Sequence, residues 1–210
     1  MVVTLAVNHK SDEAGSTSRL VPPQAPPFLA VIIPVFNEAE TLPQVLCDVS
    51  RALPSVPKQI IVVDDASLDG TAEWLRSNIP GGSSAGSALS LDTDGRLVFE
   101  HAGPAEMTVT VVHQPHNNGK GAAVRTGLQH GTADVFVIQD ADLEYDPVDW
   151  AAMYDLIVGR KVADVVYGSR FSGSTSRSLR FHHYFANRLI SRLFSLLYNQ
   201  NIRDVETCYK

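Results

Sequence analysis

Two stretches in the first third of the chain, Phe28 to Phe36 and Gln59 to Val63, are apolar along nearly their whole length and then stop abruptly at polar side chains. A strand without polar alternation is buried on both faces, the situation inside a parallel sheet covered by helices. Pro34 falls near the end of the first, where a missing ladder donor does little harm. Between the two, Leu42, Val45, Leu46, Val49 and Leu53 recur at helical spacing, and Asn37 to Thr41 reads as the opening of that helix. Asp64-Asp65 closes the second strand, and Ser67 to Thr71 is a turn into a helix reaching about Ser77. This β-α-β-α order predicts an α/β fold: a doubly wound, mostly parallel sheet with helices on both faces.

The remainder continues the rhythm with one interruption. Thr108 to His113 is a third strand, and Ala122 to His130 a helix after the loop Asn117-Asn118-Gly119-Lys120-Gly121. Asp134 to Ile138 is a fourth strand, followed by a helix from Pro147 to Val158, a fifth strand from Ala163 to Tyr167 and a helix from about His182 to Tyr198. Residues 79–107 break the pattern. Gly81 to Ser87 is Gly/Ser-rich and is expected to be mobile. Leu89 to Leu91 and Leu97 to Phe99 form a small hairpin around Asp92-Thr93-Asp94-Gly95. Residues 1–27 end in a proline-rich lead expected to be disordered, leaving one domain over 28–210 with an insertion at 79–107.

Chemistry concentrates after the fourth strand. Gln139-Asp140-Ala141-Asp142-Leu143-Glu144 sets two carboxylates two residues apart at a strand end, on the same side of the chain. With Glu144 close behind, they make hard oxygen ligands suited to Mg²⁺ or Mn²⁺. The blander reading is an acidic turn capping the helix at Pro147. Similarly, Asp69 serves as a helix cap, and Asp64 serves local backbone amides. The seven His show no ligand spacing, and Cys47 and Cys208 give neither a disulfide framework nor a zinc site. A reducing cytoplasmic setting fits that usage. No stretch of about 18 uncharged apolar residues is present.

Four polar clusters fall at strand ends: Asn37/Glu38, Asp64/Asp65, Gln139 to Asp142 and Gly168 to Arg170. In an open α/β sheet the ligand binds beyond those ends. A dinucleotide dehydrogenase is excluded by the lack of G-x-G-x-x-G after the first strand, and Gly119-Lys120 lacks the remaining residues of a P-loop. Val31 to Glu38, Val62 to Thr71, Asn118 to Ala123 and Asp140-Ala141-Asp142, in that order, resemble family 2 glycosyltransferases of the GT-A (Rossmann-like) fold. Gly168-Ser169-Arg170-Phe171 and Asp204 to Lys210 resemble the branch that uses polyprenyl phosphates, which includes dolichyl-phosphate mannosyltransferases.

The resemblance implies a metal-dependent, inverting transfer of a hexose, mannose or glucose, from a GDP- or UDP-linked nucleotide-sugar donor to a polyprenyl phosphate acceptor. It implies that Pro34, Phe36 and Glu38 hold base and ribose, with Asp65 beside the base and Asn118, Gly119 and Lys120 closing the pocket. Asp140 and Asp142 would hold Mg²⁺ or Mn²⁺ and the diphosphate, with Glu144 as a further ligand. Arg170 would face a phosphate, and Asp204 would lie near the reacting carbon. Relatives continue past the Glu-Thr-Cys-Tyr-Lys ending with further helices, so the chain reads as C-terminally truncated. The alternatives are a saccharide acceptor, or a nucleotide-sugar-binding domain without turnover; no nucleic-acid partner is expected.

Charge is divided along the chain. Residues 1–169 carry 10 Lys+Arg against 21 Asp+Glu, whereas Arg170 to Arg203 contains six Arg and no acid. Within the second part, Phe185, Leu189, Leu193 and Leu197 alternate with Arg188 and Arg192. Such a face can lie in a membrane interface, and it can equally pack on the sheet while its Arg are solvated. A lipid-phosphate acceptor favours the first, which places the protein peripherally at the cytoplasmic face of the membrane. In vesicle sedimentation with phosphatidylglycerol, the chain should bind at low salt, each Arg adding about 1 kcal/mol. Binding should fall with added salt and with Arg188→Glu/Arg192→Glu; a chain left in the supernatant at low salt assigns the helix to the core.

Overall fold

The computed structural model describes residues 28–101 and 103–166. Its centre is a sheet of five strands. In chain order these are β1 (Leu29–Val35), β2 (Lys58–Asp64), β3 (Ser83–Gly86), β6 (Met107–His113) and β7 (Val135–Ile138), while β4 (Ala88–Leu91) and β5 (Leu97–Glu100) form a separate hairpin. The pairs β1·β2, β1·β7 and β2·β6 are parallel, and only β3 runs antiparallel, against β6. The expected α/β sheet is therefore present.

The strand order carries the functional consequence. From β1 the chain steps to β2 and on to β6, then returns across the sheet to place β7 on the far side of β1. Helices α1 (Leu42–Arg51) and α2 (Thr71–Asn78) make the outward steps, and α3 (Lys120–His130) makes the return. A right-handed crossover in opposite directions puts helices on opposite faces. Accordingly Val31, Ile33, Ile60 and Val62 face α1 and α2 in the main core, while Ala30, Ile61 and Val63 face Ala123 of α3. Gly127 lets α3 lie close on β1, since a Cβ there would come within 2.4 Å of Ile32 Cγ2.

Several elements depart from the sequence expectation. Residues 37–41 form a turn, and α1 begins at Leu42. Gly81 to Ser87 was expected to be mobile, yet Ser83–Gly86 pairs with Met107 to Thr110 as the sheet edge. Backbone pairing there does not depend on side-chain character, and a short polar edge strand discourages further strand addition. The helix from Pro147 is divided into a 3₁₀ turn at Pro147–Asp149, α4 (Trp150–Tyr154) and a π-type turn at Asp155–Gly159. Of the expected fifth strand, only Val166 makes a bridge within the described residues. The lead 1–27 and the helix 182–198 lie outside the described residues. The hairpin 88–100 matches its expectation and seats Leu89 against α1, where Ser50 Oγ accepts from Leu89 N at 3.0 Å.

A buried cation sits beneath that hairpin. Lys58, 2% exposed, donates from Nζ to the carbonyls of Ser50 and Leu53 at 3.2 and 3.1 Å, the C-terminal end of α1. Helix-end carbonyls attract a cation, but burial pushes the Lys58 pKa down to about 8. Between pH 8 and the ordinary lysine range the unfolded chain binds the extra proton, so stability rises with pH across that window and falls as pH drops through 8. The stability of the native chain relative to Lys58→Met should shift in its favour by on the order of 2 kcal/mol from pH 7.5 to 10.5. Urea unfolding at three pH values measures this; a difference independent of pH would show that the ammonium is not desolvated.

Candidate active site

Where the strand order reverses, β1 extends past the end of β7. The last pair between them is Ile32 with Ile138, whereas β1 and β2 stay paired to Val35 with Asp64. Ile32 O accepts from Gln139 N at 2.9 Å and Val35 O from Asp65 N at 2.8 Å, so alternate residues of β1 serve the two neighbours. The missing donor of Pro34 therefore faces the side where β7 has already ended. The gap opens into a cavity of about 270 Å³. A crevice at such a switch point is where open α/β sheets bind ligands.

Three strand ends and one helix supply its walls. Pro34, Phe36 and Glu38 come from β1 and the following turn, and Asp65 follows β2. Lys120 projects from the first turn of α3, while Asp140 and Asp142 follow β7. These seven expected site residues thus share one cavity, joined by Val35, Ala123 and Ala141, which sequence reasoning did not single out. The last three are small or aliphatic and carry no chemical signature.

Two further expected residues act through their backbone. Asp65 is 2% exposed, and its Oδ1 and Oδ2 accept from Asn118 N at 2.9 Å and Gly119 N at 2.7 Å. Asp65 thereby ties the loop before α3 to the end of β2, and Asn118 and Gly119 stand behind the cavity wall. Its neighbour Asp64 accepts from Ser67 N at 3.0 Å and pairs with His113 Nδ1 at 2.8 Å. The His113 contact was not legible beforehand, because it depends on the register that sets Asp64 beside His113.

The turn after β1 is stitched to the turn after β2. Asn37 N donates to Ser67 Oγ and Glu38 N to Thr71 Oγ1, both at 3.0 Å, and Asn37 Oδ1 accepts from Leu68 N at 2.7 Å. Asp69 accepts from Thr71 N with one oxygen and from Ala39 N with the other. Although burial pushes its pKa up, these hydrogen bonds from Thr71 and Ala39 prevail and hold the carboxyl below its ordinary range. The N-cap of α2 is Gly70, so Asp69, expected as the cap, instead binds the first helical amide from one residue earlier and in addition holds the approach to α1. Glu38 is oriented in turn by Thr41 Oγ1, 2.6 Å from Oε2. Asn37 and Ala66, each two residues beyond a strand end, and Leu143, in the turn after β7, have φ between 58° and 62°. Such left-handed geometry costs non-glycine residues energy and gathers where surrounding contacts enforce it.

The expected trio of metal ligands is only partly assembled. Among the described residues no three His, Cys, Asp or Glu side chains converge on an ion-sized site. Asp140 and Asp142 share the cavity, but Asp142 Oδ1 accepts from Glu144 N at 3.0 Å, and Glu144 does not line it. Lys120 Nζ lies 2.7 Å from the Asp140 carboxylate. Two carboxylates in one cavity are a donor set that fits Mg²⁺ or Mn²⁺, which complete their shells with water and phosphate oxygens. Arg170 and Asp204 lie outside the described residues.

The family model for glycosyl transferase family 2 matches residues 30–84 and 91–209. The chain belongs to that family. It is 29% identical over 146 residues to dolichol-phosphate mannosyltransferase of Pyrococcus furiosus, covering 68% of this chain and 33% of that protein. It is 29% identical over 184 residues to polyprenol monophosphomannose synthase of Mycolicibacterium smegmatis, covering 86% and 59%. With undecaprenyl-phosphate mannosyltransferase of Micrococcus luteus it shares 32% over 143 residues, covering 66% and 46%. The matched part of this chain thus spans between a third and three fifths of these relatives. A solved structure of mannosyltransferase PcManGT from Pyrobaculum calidifontis, in complex with GDP-Man and Mn²⁺, matches with a TM-score of 0.41 and 23% identity over 64% of this chain and 33% of that one.

The Asp65 clamp has a measurable signature. Asp65→Asn replaces one acceptor oxygen by an amide that cannot accept from the loop. Losing one bond to a charged acceptor should speed hydrogen exchange at Asn118 or Gly119 by roughly tenfold or more. Unchanged protection at both amides would show that other contacts hold the loop.

Proposed function

We propose that this domain binds a nucleotide sugar and, with Mg²⁺ or Mn²⁺, transfers its hexose to a polyprenyl phosphate with inversion. The observation that carries this reading is one cavity, at the reversal point of a family 2 sheet, combining the Phe36 ring with Glu38, Asp65, Lys120, Asp140 and Asp142. Phe36 is 42% exposed, a costly position for an aromatic ring without a stacking partner and a suitable one against a base. Glu38, held by Thr41, would accept from ribose hydroxyls. The names of the relatives support mannose as the sugar and a dolichol, polyprenol or undecaprenyl phosphate as the acceptor.

The proposed chemistry asks little of the protein as acid or base. An acceptor phosphate is already an anion near neutral pH, so its oxygen can attack the anomeric carbon without prior deprotonation by a strong base. A single displacement inverts that carbon and needs no enzyme nucleophile. Asp140 and Asp142 would hold the divalent cation, which when bound offsets charge on the departing diphosphate. Glu144 remains a proposed further ligand. Arg170 would pair with a phosphate through its planar fork, and Asp204 would lie near the reacting carbon. The acceptor places the enzyme at the cytoplasmic membrane surface. No helix among the described residues is long and apolar enough to cross a bilayer.

Calorimetry tests the cavity: GDP or UDP should bind at least tenfold tighter with Mn²⁺ than without, and Asp142→Ala should abolish that gain. Radiolabelled hexose from GDP- or UDP-sugars should appear in an organic-extractable lipid product. A water-soluble product would assign a saccharide acceptor, and binding without any product would leave a nucleotide-sugar-binding domain.

A further inference from the structure

We propose that Lys120 is an exchangeable counter-ion of Asp140, making metal and nucleoside diphosphate enter the cavity together rather than singly. The proposal rests on the reading that Asp140 and Asp142 receive the divalent ion.

The geometry is specific on both sides of the pair. Lys120 Nζ lies 2.7 Å from Oδ1 and 2.7 Å from Oδ2 of Asp140, so it bridges the carboxylate rather than touching one corner. The acid is fixed: the fully buried Gln139 donates through Nε2 to Asp140 O at 3.0 Å and Tyr145 O at 3.3 Å, holding the backbone on either side of the acidic turn. The base is fixed at its root. Lys120 opens α3, directly after the loop whose amides Asp65 clamps, while its stem is flexible and its side chain 52% exposed against 15% for Asp140. An ion pair half in water is weakly held, and an ammonium on a four-carbon stem can be re-aimed without moving the helix.

A divalent cation that takes the Asp140 oxygens claims the place the ammonium bridges. Arriving alone, it must displace Lys120 and leave a positive charge nearby, a like-charge contact that opposes binding. Arriving with a diphosphate, it supplies the displaced ammonium with new anionic oxygens within reach. Lys120 is the only basic residue among the described residues lining the cavity. Among those residues it is the one that can turn the arrival of phosphate into release of Asp140. The coupling is reciprocal, so nucleotide should tighten metal and metal should tighten nucleotide by the same factor.

The test measures Mn²⁺ binding by the electron paramagnetic resonance of free Mn²⁺, with and without GDP and UDP, for the native chain, Lys120→Met and Lys120→Arg. Native protein should bind Mn²⁺ alone weakly and tighten by tenfold or more with nucleotide. Lys120→Met should bind Mn²⁺ alone tighter by up to about fivefold, the factor expected for removing one partly exposed charge pair, and should show a correspondingly smaller gain from nucleotide. Lys120→Arg, which keeps the charge, should stay close to the native pattern. Equal Mn²⁺ affinity in native and Lys120→Met protein, with nucleotide coupling intact, overturns the counter-ion role alone. Absence of any metal–nucleotide coupling in the native chain overturns both this role and the reading on which it rests.

Discussion

The reversal of strand order at β1 is the constraint on which the site depends. Strands that continue in one direction leave no gap between neighbours. Here β2 lies on one side of β1, β7 on the other, and β7 stops three residues short of the end of β1. Backbone groups on that side meet no strand, so space remains for a ligand. Pro34 occupies the one position where a donor would otherwise be left facing the gap. Fold and site are therefore one feature: helices on opposite faces require the return crossover, and the return crossover creates the opening.

Loops at such an opening need fixing, because no sheet ladder holds them. The fixing is done largely by short polar side chains accepting from backbone amides. Ser67, Thr71 and Asp69 hold the turn after β1, and Asp65 holds the loop before α3. The aspartates among these acceptors make bonds about twice as strong as neutral ones, and the left-handed Asn37 and Ala66 sit within the turns so tied. Several acids that a motif reader would assign to ligand contact thus work first as internal scaffolding.

Strands were legible because their residues are apolar on both faces, and β1, β2, β6 and β7 lie within two residues of their expected bounds. The cavity walls were legible because polar side chains at strand ends have few structural reasons to be there. What escaped follows from relations that a one-dimensional pattern does not encode. Strand β3 is made of Ser, Ala and Gly, and its pairing with β6 is purely backbone. The Asp64–His113 pair depends on register, and the Lys120–Asp140 pair joins residues 20 apart across the switch point. The segmented helix after Pro147 kept its buried Trp150, Met153 and Ile157, so the apolar spacing was right while the backbone form was not.

The charge of the cavity argues for a cation independently of any motif. Among the described residues, Glu38, Asp65, Asp140 and Asp142 bring four carboxylates to its wall and Lys120 one ammonium. Asp65 spends its oxygens on two loop amides, which spreads its charge into the backbone without cancelling it. A diphosphate approaching such a wall meets net repulsion that one lysine, already paired with Asp140, does not overcome. The same wall attracts a divalent ion, which reverses the local balance and turns the carboxylates from an obstacle into ligands. The proposed binding of a diphosphate in so acidic a cavity is consistent only when anion and metal are treated as one ligand. That is the physical reason to read Asp140, Asp142 and Lys120 as a single device rather than three separate contacts.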